Sequence, residues 1–186
     1  MPVRLPGKAM IAVAAAVRDD EGAAAAAHFS ALKTRSHIRV VEASTVPRTH
    51  VTAWIVAKVG AGGTEPIGQR IVEVPGDLEQ FELRDGRARF VAYVPPGSIG
   101  RGEALVTTGG AGKTLPCGLR RGADLRGEGL VPGIAGRSPS DAVRQLFDFQ
   151  SGARAGVDEE PMKPVVAELS EEDMVSLAAY LTSRPP

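Results

Sequence analysis

The only cysteine of this 186-residue chain, Cys117, opens a glycine-rich stretch that runs to residue 136. Taken alone, it would be a small hydrophobic residue with an idle thiol. One cysteine cannot form an internal disulfide, so cysteine usage does not indicate a redox compartment. The three histidines, His28, His37 and His50, lie at no zinc-ligand spacing from Cys117 or from one another. No zinc site is therefore indicated.

Residues 109–114, just before Cys117, resemble a phosphate-binding loop only in part. That loop needs a glycine at position 107, where the chain has Thr107. Pro116 follows closely, so a helix N-terminus that would hold phosphate cannot begin there. There is also no Gly-x-Ser-x-Gly elbow for a nucleophilic serine. Neither nucleotide binding nor hydrolase or transferase chemistry is indicated.

The overall composition is that of a chain able to form a packed core. Hydrophobic residues make up 43% of it, and 22 basic residues balance 22 acidic ones, for a formal net charge of zero. Such a balance gives no attraction to nucleic acid or to an anionic membrane. No apolar run reaches the roughly 18 residues of a membrane span. At the N-terminus, Arg4 and Lys8 precede an apolar run over residues 9–17. It is either an amphipathic helix or a short secretory signal, and the signal peptide is not convincing.

Successive regions of the chain differ in composition and in predicted secondary structure. The alanine-rich residues 19–33 predict a helix, because alanine has the highest helix propensity. Residues 37–95 carry runs rich in β-branched residues between glycine and proline clusters, which predicts a small antiparallel or irregular β segment. Residues 99–110 are ambiguous, and Gly109 ends whatever forms there. Ser138 and Pro139 then predict the start of another helix.

The last helix has the clearest pattern. Ser170 with Asp173 resembles a capping box, with Asp in place of the usual Glu. Four apolar residues form one stripe on the helix: Met174, Leu177, Ala178 and Leu181. Burying that stripe is worth several kcal/mol at roughly 1.5–3 kcal/mol for each large side chain.

An internal repeat links the two ends of the chain. Residues 10–29 align without a gap on residues 162–181, which places Met10 on Met162 and the acidic residues 19–21 on 171–173. The alternative is a chance match between two unrelated alanine-rich helices. If the repeat holds, the chain opens in the last third of one unit and closes with a fuller second copy.

From about Gly102 to the end, the chain resembles a class I c-type cytochrome domain, in particular the second half of two-haem cytochromes. The resemblance covers roughly 85 residues and rests on six segments in a fixed order. These segments are 117–121, 122–127, 131–136, 145–154, Met162 and 169–181. Residues 8–33 resemble the tail of a preceding cytochrome domain, whose own haem attachment site would lie before the first residue.

The resemblance implies a haem c cofactor and a role for several residues. Cys117 matches the first thioether cysteine, Met162 the distal axial ligand, and Pro132 the loop proline that buttresses the proximal histidine. Arg120 stands where the second cysteine belongs, and Arg121 where the proximal histidine belongs. Guanidinium has no lone pair to give to iron, so haem binding is expected to be impaired.

The resemblance also implies a mainly α fold with three parts. We expect a remnant helix of a first domain in residues 1–35, a β-rich or irregular connection in 36–98, and a cytochrome c-like domain in 99–186. The implied role is electron transfer with redox partner proteins in the periplasm, without enzymatic activity. Two alternatives remain: a haem-free helical scaffold for binding or assembly, and a fragment. A local frameshift across codons 117–121 could also turn Cys-x-x-Cys-His into the sequence found there.

Overall fold

The computed structural model describes residues 5–52, 55–129, 131–154, 156 and 160–186. The chain divides into two compact units, residues 1–34 and residues 35–186, and each is described by itself. The fold is mainly α, with a β-rich segment ahead of a C-terminal helical region, which confirms the predicted fold class. The predicted domain boundaries after residues 35 and 98 stay predictions.

The N-terminal unit consists of two helices. They are α1 (Leu5–Ala16) and α2 (Asp19–Ala31). The helix predicted over residues 19–33 is confirmed and ends two residues earlier. At its start, the Glu21 carboxylate accepts a hydrogen bond from the Arg18 backbone amide at 3.1 Å, which satisfies a donor that the helix leaves unpaired. No side chain of α2 is buried.

A β-rich segment opens the second unit. It contains β1 (Ile38–Glu42), β2 (Thr45–Pro47), β3 (Thr49–Thr52), β4 (Ile55–Lys58), β5 (Thr64–Pro66), β6 (Val72–Pro75), the short helix α3 (Leu78–Glu82) and β7 (Phe90–Val94). Strands β2 and β5 pair antiparallel, as do β3 and β4. Strand β7 lies between β1 and β6 in a three-stranded sheet. Residues 53 and 54, within the β segment predicted over 37–95, lie outside the described residues.

One pairing in this segment corrects the prediction. Strands β1 and β7 are parallel, with Ile38 opposite Phe90, whereas an antiparallel or irregular segment was expected. A parallel pair needs a long crossover connection. Residues 43–89 supply it, because they return the chain to the end of the sheet where β1 began.

The helical region completes the second unit. Its elements are α4 (Ser98–Thr108), α5 (Gly118–Arg121), the hairpin strands β8 (Gly127–Glu128) and β9 (Val131–Pro132), α6 (Pro139–Gln150), a 3₁₀ turn (Glu160–Met162), α7 (Lys163–Val166) and α8 (Glu171–Ser183). Of the ambiguous residues 99–110, those from 99 to 108 are thus helical, and Gly109, with a φ of 76°, caps the end of α4. At the start of α6, the Ser138 hydroxyl accepts a hydrogen bond from the Asp141 amide, as the sequence predicted.

Helix α8 is the centre of this region. The predicted capping box is present: the Ser170 amide donates to the Asp173 carboxylate at 3.0 Å, and the Asp173 amide donates to the Ser170 hydroxyl at 3.2 Å. All residues from 174 to 182 are buried, so the buried surface is wider than the predicted stripe. The reason is that α4, α6 and β1 all pack around this helix.

Helices α2 and α8 begin and end at aligned positions of the internal repeat, and each is 13 residues long. This coincidence supports the repeat as more than shared alanine content. The two helices differ in burial, since α8 is almost enclosed and α2 has no buried side chain.

Within the described residues, no helix is both long and apolar enough to cross a bilayer.

Candidate cofactor site

Cys117 lies between α4 and α5, and its backbone amide donates to the Val106 carbonyl at 2.9 Å. Its side chain is half-buried and packs against the main hydrophobic core, which includes Leu105, Val106 and Leu125. Burial raises the pKa of the Cys117 thiol, and the positive charge of Arg121 opposes that shift. The side chain is therefore a neutral thiol at neutral pH.

The loop before Cys117 is held by two contacts to the far end of the helical region. The Thr114 hydroxyl donates to the Val165 carbonyl at 2.7 Å, and the Lys113 ammonium pairs with the Asp173 carboxylate at 2.9 Å. Burial acts to raise the pKa of Asp173, but the hydrogen bonds from Lys113 and Ser170 outweigh it and the pKa is lowered. Lys113 is thus used in an ion pair with Asp173.

Met162 ends the 3₁₀ turn that precedes α7. It is half-buried and packs against the same hydrophobic core as Cys117. The structure therefore brings the two sulfur-bearing residues singled out in the sequence to one core, from elements 45 residues apart in the numbering. Their roles as attachment and ligand residues stay predictions.

Pro132, the third predicted residue, is exposed and is the second residue of β9. Its backbone carbonyl accepts a hydrogen bond from the guanidinium of Arg121, the last residue of α5. From the sequence, Arg121 is only a group unable to bind iron, and its contact with Pro132 is not predicted. No spacing rule would have found it, because it joins a short helix to a hairpin strand across a glycine-rich turn.

Arg121 is half-buried, and its electrostatic surroundings are unfavourable. Burial lowers the pKa of Arg121, and the positive charges of Arg120 and Arg154 lower it further, whereas the Cys117 thiolate that forms at high pH opposes the shift. Among the described residues, no carboxylate contributes. The Pro132 carbonyl is thus the polar partner that the structure gives to this guanidinium.

Several apolar side chains pack on the same core as Cys117 and Met162. They include Ile134, Leu146 and Phe149. The Arg154 guanidinium lies over the Phe149 ring at 4.5 Å, a cation–π contact that covers this apolar wall. The arrangement is an apolar part of the core with the cationic Arg154 side chain beside it.

None of the three histidines belongs to the elements that carry Cys117, Met162 and Pro132. His28 belongs to α2 in the N-terminal unit, His37 precedes β1, and His50 is in β3; all three are exposed. Among the described residues, no group of three or more His, Cys, Asp and Glu side chains could hold a metal ion.

A c-type haem needs two thiols and an axial imidazole in the Cys117 frame. The structure places there one neutral thiol and a guanidinium that bonds a carbonyl. The residues present therefore do not fit a haem held in the usual way.

Comparison with known proteins gives relatives but no matching family model. The chain is 37% identical over 87 residues to the thiosulfate dehydrogenase electron acceptor of Stutzerimonas stutzeri (strain A1501), a match that covers 45% of this chain and 39% of that protein. It is 28% identical over 141 residues to cytochrome c4 of Azotobacter vinelandii, covering 68% and 67%. It is 34% identical over 84 residues to cytochrome c-554(547) of Halothiobacillus neapolitanus, covering 39% of this chain and 92% of that protein.

The chain thus spans well under half of the first relative and about two thirds of the second. Among solved structures, reduced cytochrome c4 from Pseudomonas stutzeri matches with 28% identity and a TM-score of 0.43, over 48% of this chain and 49% of that one. Cytochrome c4 from Acidithiobacillus ferrooxidans matches with 25% identity and a TM-score of 0.42, over 46% and 49%.

Proposed function

The chain belongs to the class I c-type cytochrome family, and we propose that it is an electron-transfer protein of that family whose own haem attachment is impaired. The family's haem supplies one-electron redox chemistry when it is bound. The single observation that carries the proposal is that Cys117 and Met162 pack on one core while Arg121 stands in the place of the iron-ligating histidine.

Two features of the residues support the impairment. With one cysteine in the whole chain, Cys117 can provide at most one thioether. Arg121 keeps its proton at neutral pH and has no lone pair for a metal. Of the residues that the resemblance assigns to the metal, only the Met162 thioether is a possible ligand.

The proposal is tested by restoring the missing groups. The double variant Arg120→Cys with Arg121→His is expressed with a cytochrome c maturation system and compared with the wild type by haem staining and Soret absorbance. We expect covalent haem in the double variant and little in the wild type. A Cys117→Ala change in the double variant is the matched control, and it should lower the yield of covalent haem.

Two results would count against the proposal. A double variant that folds yet shows no haem stain would overturn the cytochrome assignment of this site. Wild-type protein with covalent haem in full stoichiometry would overturn the impairment.

The partners, the location and the non-enzymatic role are proposed from the family. We propose redox proteins as partners, a periplasmic location and a non-enzymatic role. The first relative's name describes an electron acceptor of a dehydrogenase, which supports a partner of that general class. The three-part division at residues 35 and 98 is proposed as well, with the aligned helices α2 and α8 in its support.

A second candidate function is a haem-free helical scaffold for binding or assembly. The observation that favours it is the hydrogen bond from Arg121 to Pro132. A side chain that binds another part of the protein is not available to bind a cofactor. Wild-type protein that acquires no haem even with the maturation system, yet folds and binds a partner protein, would favour this function over electron transfer.

A further inference from the structure

Arg121 stands at the position where the family resemblance requires an axial histidine. In this chain it makes a hydrogen bond within the protein. Arg121 ends the four-residue helix α5 directly after Cys117. Its guanidinium donates to the carbonyl of Pro132 in the β8–β9 hairpin. Helix α5 and the β8–β9 hairpin are thus joined by a protein side chain.

The backbone on both sides of this contact is tightly constrained. Gly122 follows α5 with a φ of 75°, and the hairpin pairs Gly127 with Pro132. At Gly127, with a φ of 95°, a Cβ atom would lie 2.4 Å from the Val131 carbonyl oxygen. The turn therefore admits little variation, and Arg121 reaches the carbonyl from a well-defined position.

The contact holds against electrostatic repulsion. Arg121 is half-buried, and the positive charges of Arg120 and Arg154 act on it with no compensating carboxylate among the described residues. Removing the Arg121 charge alone would relieve this repulsion. Any loss of stability after substitution must then come from the lost hydrogen bond and the lost packing of the side-chain stem.

The core beside the contact is closely packed. Leu125 and Ala135, which flank the hairpin, are both buried in the main core, and the Ile134 amide donates to the Leu125 carbonyl at 2.9 Å. In the described parts of the chain, every buried side-chain nitrogen and oxygen has a hydrogen-bond partner. No orphaned polar group in those parts awaits a ligand.

We propose that Arg121 is a structural strut that ties α5 to the Pro132 hairpin in place of a cofactor contact, so that residues 99–186 fold and stay packed without haem. The position of Arg121 is interpreted through the proposed family, but the strut itself rests on contacts within this chain.

The test uses the full chain expressed in the cytoplasm without a maturation system, so that no haem is attached. Wild type, Arg121→Ala, Arg121→Lys and the control Arg120→Ala are compared by thermal unfolding and by hydrogen exchange of residues 122–136. Arg120 is the adjacent, exposed arginine, so its alanine variant removes the same charge without the contact.

We expect haem-free wild type to unfold cooperatively and Arg121→Ala to melt about 5 °C lower, with exchange in residues 122–136 faster by about tenfold. Arg120→Ala should change neither by a comparable amount. Arg121→Lys should recover part of the loss, because lysine can still donate to the carbonyl. If Arg121→Ala fails to fold while Arg120→Ala and Arg121→Lys fold, the strut is supported.

Equal melting temperatures and exchange rates for Arg121→Ala and Arg120→Ala would overturn the proposal. Haem-free wild type that lacks cooperative unfolding would overturn it too. Neither result depends on whether the double variant Arg120→Cys with Arg121→His acquires haem, so failure of the strut and failure of the proposed electron-transfer function are distinguishable.

Discussion

The guanidinium of Arg121 donates a hydrogen bond to the backbone carbonyl of Pro132, 11 residues further along the chain. Both residues lie at positions that the family resemblance assigns to the haem site, one as the replaced histidine and one as its buttress. Whatever its relation to a haem ligand, Arg121 is thus a hydrogen-bond donor that the loop uses.

Gly102→Ala should destabilise the protein by about 3 kcal/mol, as expected for overpacking. A Cβ atom at this position of α4 would lie 2.0 Å from the Ser176 carbonyl oxygen and 2.8 Å from the Tyr180 Cβ, so α4 and α8 would have to separate. Urea unfolding measures the loss. The matched control is Gly100→Ala in the same helix, which has open space around it and should gain about 0.5–1 kcal/mol from helix propensity. Equal effects of the two changes would contradict the packing of α4 on α8.

Asp173→Asn should lower the free energy of unfolding by about 1–2 kcal/mol at neutral pH, because the carboxylate caps α8 and pairs with Lys113. Glu171→Gln, an exposed change in the same first turn, is the control and should have a much smaller effect. Similar losses for both variants would show that Asp173 acts only through general charge.

The contribution of Asp173 should also depend on pH in a definite direction. Its pKa in the folded protein is lowered below the ordinary value of 3.8. The stabilisation is therefore fully present above the unfolded-state pKa and is lost as the pH falls through the folded-state pKa. Unfolding curves of wild type and Asp173→Asn should converge as the pH falls below about 5. A difference that grows on acidification would refute the assignment.

Ser138→Ala should cost about 1 kcal/mol. The hydroxyl accepts from the Asp141 amide at the start of α6 and donates to the Glu73 carboxylate of β6 at 2.8 Å, so it links the sheet to the helical region. Thermal unfolding checks the loss against Ser140→Ala, whose side chain is exposed. If Ser140→Ala were the more harmful change, the proposed link would be wrong.

Cys117 should react slowly with alkylating reagents in the folded protein. Burial raises the pKa of its thiol above the ordinary value, so less thiolate is present at a given pH, and only the thiolate is nucleophilic. Iodoacetamide labelling at about pH 8 should be slower in the native protein than in urea, where the thiol titrates normally. Faster labelling of the native protein would mean an exposed, activated thiol.

Features that depend on neighbouring residues could be predicted from the sequence. Ser138 and Ser170 cap their helices because a short polar side chain reaches an amide only three residues away, and Gly109 ends α4 because it tolerates a positive φ. The relation of the chain to c-type cytochromes was also readable, since it rests on the order of residues along the chain.

Only the tertiary structure decided how distant segments meet. The parallel pairing of β1 with β7, the ion pair between Lys113 and Asp173 across 60 residues, and the use of Arg121 as a donor to Pro132 follow no local pattern. Residue spacing encodes which side chains share a helix face or a turn, because helix and strand periodicities are local. Which faces then pack together depends on burial of the whole core and on pairing every buried polar group, and these conditions are set by all segments at once.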